Sequence, residues 1–422
     1  MTAKQKSVAE IDKTRSLRAK GLQMIMQTKL YWGLGFLLVF GALSSPVTSK
    51  GVNIFTSLGN MTDVLRQVSV TGIVAVGMTL VILIAGIDLS VGSILALGTV
   101  ICAMLLTQEG WTTASYIGVP AVGAVVFILC WAAISVLRGI TNSGGTAREA
   151  QTSPKTLTMT ALISGAVSMG LMIWLIGQVP TKFGVLAVLI AVPSVCAVFG
   201  AMNGALIVYG RLQPFIVTLA MMVGALGMAR LIAGQDTAVY PVYTGTNATE
   251  NFEILRTLLW GVVPAPGLIF LFVLVVFFIL TRFTTYGAYL LAIGGNEQAS
   301  RLAGLNVNRT KIVTYAISSA LAGLAGILYV AQFRQGKPDA GMGLELDAIA
   351  AVVIGGTSLM GGRGTVAGTM VGVLIFGFLG NILQLNNIDS NTQLVLKGVI
   401  IVAAVLIQEG QLTQIFSKLK RN

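Results

Sequence analysis

Histidine is absent from the 422 residues, cysteine occurs three times, and charged side chains make up only 10% of the chain. The missing histidine removes the commonest metal ligand and the usual proton shuttle near neutral pH. Cys102, Cys130 and Cys196 stand singly in apolar runs with no C-x-x-C spacing, so they read as small packing hydrophobes. A soluble domain carries about 25% charged residues. Here 55% of residues are hydrophobic and the mean hydropathy is +0.86, more apolar surface than a soluble core can hide. Apolar stretches of membrane-crossing length recur along the whole chain, which excludes a large buried-core enzyme. The fold class expected is all-α: a polytopic membrane protein with about 10–12 transmembrane helices, including interrupted, Gly-rich helix pairs.

Long apolar stretches place spans at about 30–49, 67–87, 89–107, 115–137, 157–179, 183–209, 212–233, 258–281, 312–333, 348–362, 364–385 and 390–408. The tenth is short. The first is longer than a signal-peptide core of roughly 7–15 residues and follows a basic tail, so residues 1–29 read as a cytoplasmic anchor rather than a cleaved leader. Residues 30–410 form the membrane domain and 411–422 a second cytoplasmic tail. With twelve crossings, eighteen of the twenty-seven Lys and Arg residues fall in the two tails, the 138–156 loop, Arg211 and the 282–311 loop. Positive-inside bias therefore predicts both termini in the cytoplasm. The net charge of +12 is that same excess, attracted to anionic lipid, and needs no nucleic acid. "GAMNG" (200–204) and "GTMVG" (368–372) are small-xxx-small pairs suited to close helix contact, read as general helix packing rather than a dimer seam.

Two places break the apolar rule. "LVILIAGIDLSVGSIL" (80–95) sets Asp88 between two spans, among Gly86, Ser90, Gly92 and Ser93. An acid inside a membrane marks a functional site by default. An Asp capping the next helix is the competing reading and is favoured here, since the span count puts Asp88 in a short turn near the cytoplasmic side. "AIAAVVIGGTSLMGGRGTVAGTMVGVLIFG" (348–377) repeats the design: apolar run, Gly-rich break, apolar run. Such interrupted pairs often mark transport pathways. Both breaks take the same orientation, so they do not argue for an inverted repeat. "GTSLMGGRGT" has the glycine separation of a phosphate-binding loop, but Gly362-Arg363 stands where Lys-Ser/Thr is required. ATP hydrolysis by this chain is not expected.

"VGMTLVILIAGIDLSVGS" (76–93), "NGALIVYGRLQPFIVTLAMM" (203–222), "YGAYLLAIGGNEQASRLAGLNVNRTKIVTYAISSALAGLAGIL" (286–328) and "ELDAIAAVVIGGTSLMGGRGTVAGTMVGVLIFGFLGN" (345–381) closely resemble the permease subunits of bacterial ABC importers for monosaccharides, of the ribose, xylose and galactose type. The likeness runs in order through most of 55–408. It implies a permease homodimer in the bacterial plasma membrane, cytoplasmic ATPase subunits that bind the ATP, an external sugar-binding protein, no cofactor or metal held by this chain, and no enzymatic activity of its own. Relative to shorter members, 115–182 is an additional two-span stretch.

No span holds a relay of titratable groups, which argues against the alternative, a stand-alone secondary sugar carrier. Neutral sugars need hydroxyl and amide partners. Besides Asp88, Ser90 and Ser93, the pathway candidates are Asn203, Gln213, Thr218 and Asn381, with Gln67, Thr71, Thr79 and Gln384 beside them; the plainer reading of each is a helix-to-helix hydrogen bond. In "GGNEQASRLAGLNVNR" (294–309), Asn296 suits an N-cap, Glu297 a first turn and Gly304 the C′ position. Ala299 and Ala303, spaced i, i+4, leave a small smooth face. The resemblance places the ATPase-coupling segment here, on Gly295, Asn296, Glu297, Ala299, Ala303 and Gly304. The outer loop 234–257, with Asp236, Tyr240, Tyr243, Glu250 and Glu253, suits a binding-protein dock or an aromatic belt equally.

Overall fold

The computed structural model describes residues 30–49, 51–141, 154–234 and 239–408. Both expected tails, Asp236 and most of the 138–156 loop lie outside the described residues. The helices are α1 (Leu30–Ser44), α2 (Leu58–Leu83), α3 (Val91–Thr107), α4 (Thr113–Thr141), α5 (Pro154–Gln178), α6 (Val185–Tyr209), α7 (Pro214–Ala233), α8 (Ala265–Phe283), α9 (Thr285–Gly295), α10 (Glu297–Leu302), α11 (Val307–Phe333), α12 (Leu344–Ile354), α13 (Val366–Leu385) and α14 (Ser390–Gln408). Among the described residues, 8 helices are long and apolar enough to cross a membrane, and α1, α3 and α14 are shorter apolar helices. The chain is an all-α polytopic membrane protein.

Each expected span has a helix, with three corrections. The tenth, expected at 348–362, is α12 of 11 residues. At 1.5 Å per residue it reaches ~16 Å, about half a hydrocarbon core, because the run of glycines from Gly355 ends it. The ninth, expected from 312, starts at Val307, where the Asn306 side chain accepts from Arg309 N at 3.1 Å; its first turn is polar and the apolar run alone misses it. The twelfth contains Lys397, whose ammonium pairs with Asp347 of α12 at 2.7 Å. A cation at that depth is tolerated because it is paired.

α11 is the central post, packed on α6, α3 and α2. Glycine sets the spacing. A Cβ on Gly200 would collide with Tyr315 O, and one on Gly204 would lie 2.6 Å from Ile312 Cα. The "GAMNG" pair thus seats α6 on α11 within one chain. "GTMVG" does the same for α13 on α12, where a Cβ on Gly372 would collide with Ala351 O. Dispersion between close backbones replaces the hydrophobic effect that lipid cannot supply. α4 and α5 pack on each other, with Ser168 Oγ donating to Gly123 O at 2.7 Å, and α4 packs in turn on α6. The 115–182 stretch is therefore a rim attached to α6.

Long-range contacts sort the connections into two ends. At one end lie the α2–α3 break, the α6–α7 turn, the α8–α11 segment and the α12–α13 break, tied by Gly362 N donating to Leu83 O at 3.0 Å. At the other, Phe183 N donates to Leu105 O at 3.1 Å, Tyr240 pairs with Gly336, and Asn60 and Asn381 exchange side-chain hydrogen bonds of 3.0 and 2.8 Å. In the second set, Glu253 accepts from Thr244 at 2.7 Å and meets Arg256 and Arg334. The Thr244 bond and the two guanidiniums outweigh burial and hold its carboxyl below the usual range.

Candidate functional site

α2 ends because its last carbonyls are closed by a turn: Gly86 N donates to Val81 O at 3.0 Å and Ala85 N to Ile82 O at 2.9 Å. This is the paired C-terminal motif usually built on glycine, here with Ala85 at φ 58°. α12 closes the same way, through Thr357 N to Val352 O at 3.2 Å and Gly356 N to Val353 O at 2.8 Å. The two breaks then meet. Leu83 O, one of the carbonyls a helix end leaves unpaired, accepts from Gly362 N, and Gly362 takes φ 69°, which glycine adopts without penalty.

α9 closes the junction from the third side. A Cβ on Gly294 would overlap Leu83 O and lie 2.5 Å from Gly362 N, and one on Gly362 would lie 2.8 Å from Gly295 N. Immediately after it, Asn296 Oδ1 accepts from Ala299 N at 2.9 Å and caps α10. Glu297 pairs with Arg301 at 2.8 Å and with Lys311 of α11 at 2.7 Å. Burial pushes the Glu297 carboxyl up, but hydrogen bonds from Lys311 and Arg301 outweigh it and hold the group below the usual range. Gly304 ends α10 with φ 81°. Ala299, Ala303 and Gly304 are exposed. So is Leu302, at 91%, which corrects the expectation of a face of small residues alone: one large apolar side chain stands on it. A cavity of about 300 Å³ opens beside α10, between Ala85, Ile207, Pro214, Glu297, Lys311 and Tyr315.

Asp88 lies deeper than the sequence reading put it. It is fully buried and accepts from Ser90 N at 3.0 Å, Ser90 Oγ at 2.5 Å and, across to α11, Ser318 Oγ at 3.4 Å. Ser318 is eleven residues into α11, ~17 Å from its start. Ser90 is the N-cap of α3 and its own side chain makes no capping bond. Asp88 therefore closes a turn ahead of the helix rather than bonding the helix's first free N–H groups. Asn203 Nδ2 donates to Ser90 Oγ at 3.0 Å, and Thr218 Oγ1 donates to Ile87 O at 3.2 Å. Asp88, Ser90, Asn203 and Thr218 thus converge on the first break. Ser93 is buried in the first turn of α3. The others do not join them: Gln213 is exposed at the start of α7, and Asn381 is paired with Asn60 at the opposite end. Sequence reasoning missed Ser318, Tyr315 and Gly294; only the glycine of "AIGGNE" carried any signal.

A family model described as "Branched-chain amino acid transport system / permease component" matches residues 156–405. The ribose import permease protein RbsC of Escherichia coli (strain K12) is 36% identical over 376 residues, 88% of this chain and 92% of the relative. RbsC of Bacillus subtilis (strain 168) is 32% identical over 377 residues, 89% and 91%. The xylose transport system permease protein XylH of Escherichia coli (strain K12) is 30% identical over 375 residues, 83% and 85%. The chain belongs to this permease family. No solved structure matches. The permease holds both Gly-rich breaks and the end of α9 in one junction, with α10 following directly after it. Among the described residues no group of His, Cys, Asp and Glu could hold a metal ion.

Proposed function

We propose that this chain is the permease subunit of an ATP-driven importer for a monosaccharide, set in the bacterial inner membrane with the glycine-junction end and both termini facing the cytoplasm. The observation that carries the reading is the likeness to ribose and xylose import permeases over more than four fifths of the chain. Two copies form the pathway, an external binding protein delivers the sugar, and partner ATPases supply the energy; the chain itself performs no catalysis. Gly295, Asn296, Glu297, Ala299, Ala303 and Gly304 form the ATPase-facing segment, with exposed Leu302 as the side chain that seats in a groove on the partner. The basic connections at this end support the orientation through the positive-inside bias. Asp88, Ser90, Asn203 and Thr218 hold the first break in register with α6, α7 and α11.

The test is uptake of labelled D-ribose and D-xylose into vesicles containing the permease, its ATPase and the binding protein. Uptake that requires ATP and all three components supports the reading. Sugar accumulation by the permease alone, driven by an ion gradient, refutes it.

A further inference from the structure

At the end of the bundle opposite the glycine junction, α2, α12, α13 and α14 enclose a cleft of about 80 Å³ lined by Gln67, Thr71, Asp347, Phe376, Gln384 and Lys397. Its walls are part polar, with Val68 and Val373 among them, although α2 and α13 are apolar helices of membrane-crossing length. Asp347 and Lys397 are paired at 2.7 Å, and the Lys397 ammonium stands 5.6 Å from the centre of the Phe376 ring. Gln67 and Gln384 are exposed and Thr71 is half-buried, and among the described residues their side chains find no hydrogen-bond partner. A carboxamide at membrane depth without a partner is costly. Two carboxamides and the Thr71 hydroxyl border one cleft whose Gln67 and Gln384 walls are open to the surroundings, so the cleft faces water or a polar solute better than hydrocarbon.

We propose that this cleft is a recognition station for a neutral, polyhydroxylated solute on the translocation path. The inference rests on the sugar-import reading and names the groups that read the sugar. Each carboxamide both donates and accepts, and so does the Thr71 hydroxyl, which is the pairing a sugar hydroxyl needs. The charges in the cleft sum to zero and are already satisfied by each other. An anion, a cation or a zwitterionic amino acid would have to part Asp347 from Lys397, whereas a polyol can bond to their outer lone pairs and protons without separating them. The present volume suits a few waters, each taking roughly 30 Å³ of liquid. A pentose needs α14 to move outward, and α14 leans chiefly on α12.

The experiment uses the full transporter with its ATPase and binding protein in vesicles, with labelled D-ribose as the probe. Gln67→Leu and Gln384→Leu are each expected to raise the KM for ribose uptake at least tenfold. Thr71→Cys is the second measurement. Its thiol is expected to react with a water-soluble methanethiosulfonate reagent, and the rate is expected to fall at least threefold with saturating ribose but not with L-leucine. Uptake with unchanged KM in both Leu variants overturns the proposal. So does an inert thiol in the Thr71→Cys variant, which would place the cleft against lipid, and so does protection by leucine in place of ribose. If the unaltered complex takes up neither ribose nor xylose, the sugar-import reading falls and takes this inference with it; normal uptake with indifferent variants removes the inference alone.

Discussion

Gly294→Ala adds one methyl group where three backbone segments meet. Its Cβ would overlap Leu83 O and lie 2.5 Å from Gly362 N and 2.9 Å from the Leu83 carbonyl carbon. No rotamer change relieves this, because every offending atom is main chain. Leu83 O must retreat by ~1.5 Å to restore ordinary van der Waals contact, which opens the 3.0 Å hydrogen bond from Gly362 N. Overpacking of this kind costs about 1–3 kcal/mol, and the lost hydrogen bond adds about 0.5–1.5 kcal/mol. The junction is weakened by about 1.5–4.5 kcal/mol, a factor of roughly 10 to 1,500 in the equilibrium that keeps it closed, at about 1.4 kcal/mol per decade. The assay is ATP-driven ribose uptake per assembled transporter, with the thermal midpoint of the purified complex beside it. Gly224→Ala is the control: it lies within α7 with nothing within 4 Å of its added Cβ, and helix propensity favours the change by about 1 kcal/mol. Uptake is expected to fall at least tenfold in Gly294→Ala and to stay within twofold in Gly224→Ala. If Gly294→Ala transports and melts like the unaltered protein, the junction is not the rigid contact its distances describe.

Asp88→Asn is expected to leave insertion and uptake near normal, because an amide oxygen can still accept from Ser90 and Ser318 can turn to accept from the new amide. Asp88→Leu strips both serines of their partner, and with buried groups left unpaired at about 1–3 kcal/mol each the yield of folded protein in detergent is expected to drop severalfold. Gly304→Val places a β-branched residue at φ 81°. That strain is of order 1–3 kcal/mol, and sugar-stimulated ATPase is expected to fall while membrane insertion, read by membrane fractionation, stays normal. The carboxyl of Glu297 titrates below its ordinary value, so its contribution is present at neutral pH and is lost as pH falls through that lowered value. Glu297→Gln is expected to cost only about 0.5 kcal/mol, since the group is more than a third exposed, and its effect on the melting midpoint is expected to vanish in acid. Cysteine placed at Ser143 is expected to resist impermeant thiol reagents on intact cells; labelling from outside would overturn the orientation.

Much of the architecture was legible because membranes impose length and charge rules. Apolar run length located the twelve segments, and the glycines of "IGGTSLMGGRG" announced the second break. The order of Asn296, Glu297 and Gly304 foretold the cap, first turn and end of α10, since capping is local chemistry. What the sequence hid was contact between backbones. Gly294 touches Leu83 and Gly362 without any side chain, so no apolar period or charge pattern marks it. Lys397 was invisible as an intramembrane charge because its partner, Asp347, sits in a stretch that reads as loop. Asp88 looked like a surface cap because its second partner, Ser318, is 230 residues away. Leu302 stands alone among small and polar neighbours, and no spacing rule singles out one apolar side chain.

The two ends of the molecule share two helices. α2 presents Gln67 to the polar cleft and ends at Leu83 in the glycine junction, sixteen residues or ~24 Å further on. α12 presents Asp347 to the cleft and ends at Ile354, one residue before the second break. Neither helix holds an internal proline between those points, and a regular helix transmits a displacement along its axis with little bending. On the proposed reading, a shift of α10 passed back through Gly294 and Gly295 of α9 would press on Leu83 and Gly362 together, and α2 and α12 would carry it to two walls of the cleft. Another of the four walls, α14, is bound chiefly to α12 through the Asp347–Lys397 pair, so it follows α12 rather than α2. A displacement that moves α2 and α12 unequally changes the distance between Gln67 and Lys397, and with it the room for a solute. By this proposed route the six-residue helix α10 would reach the polar cleft with no charge relay in between.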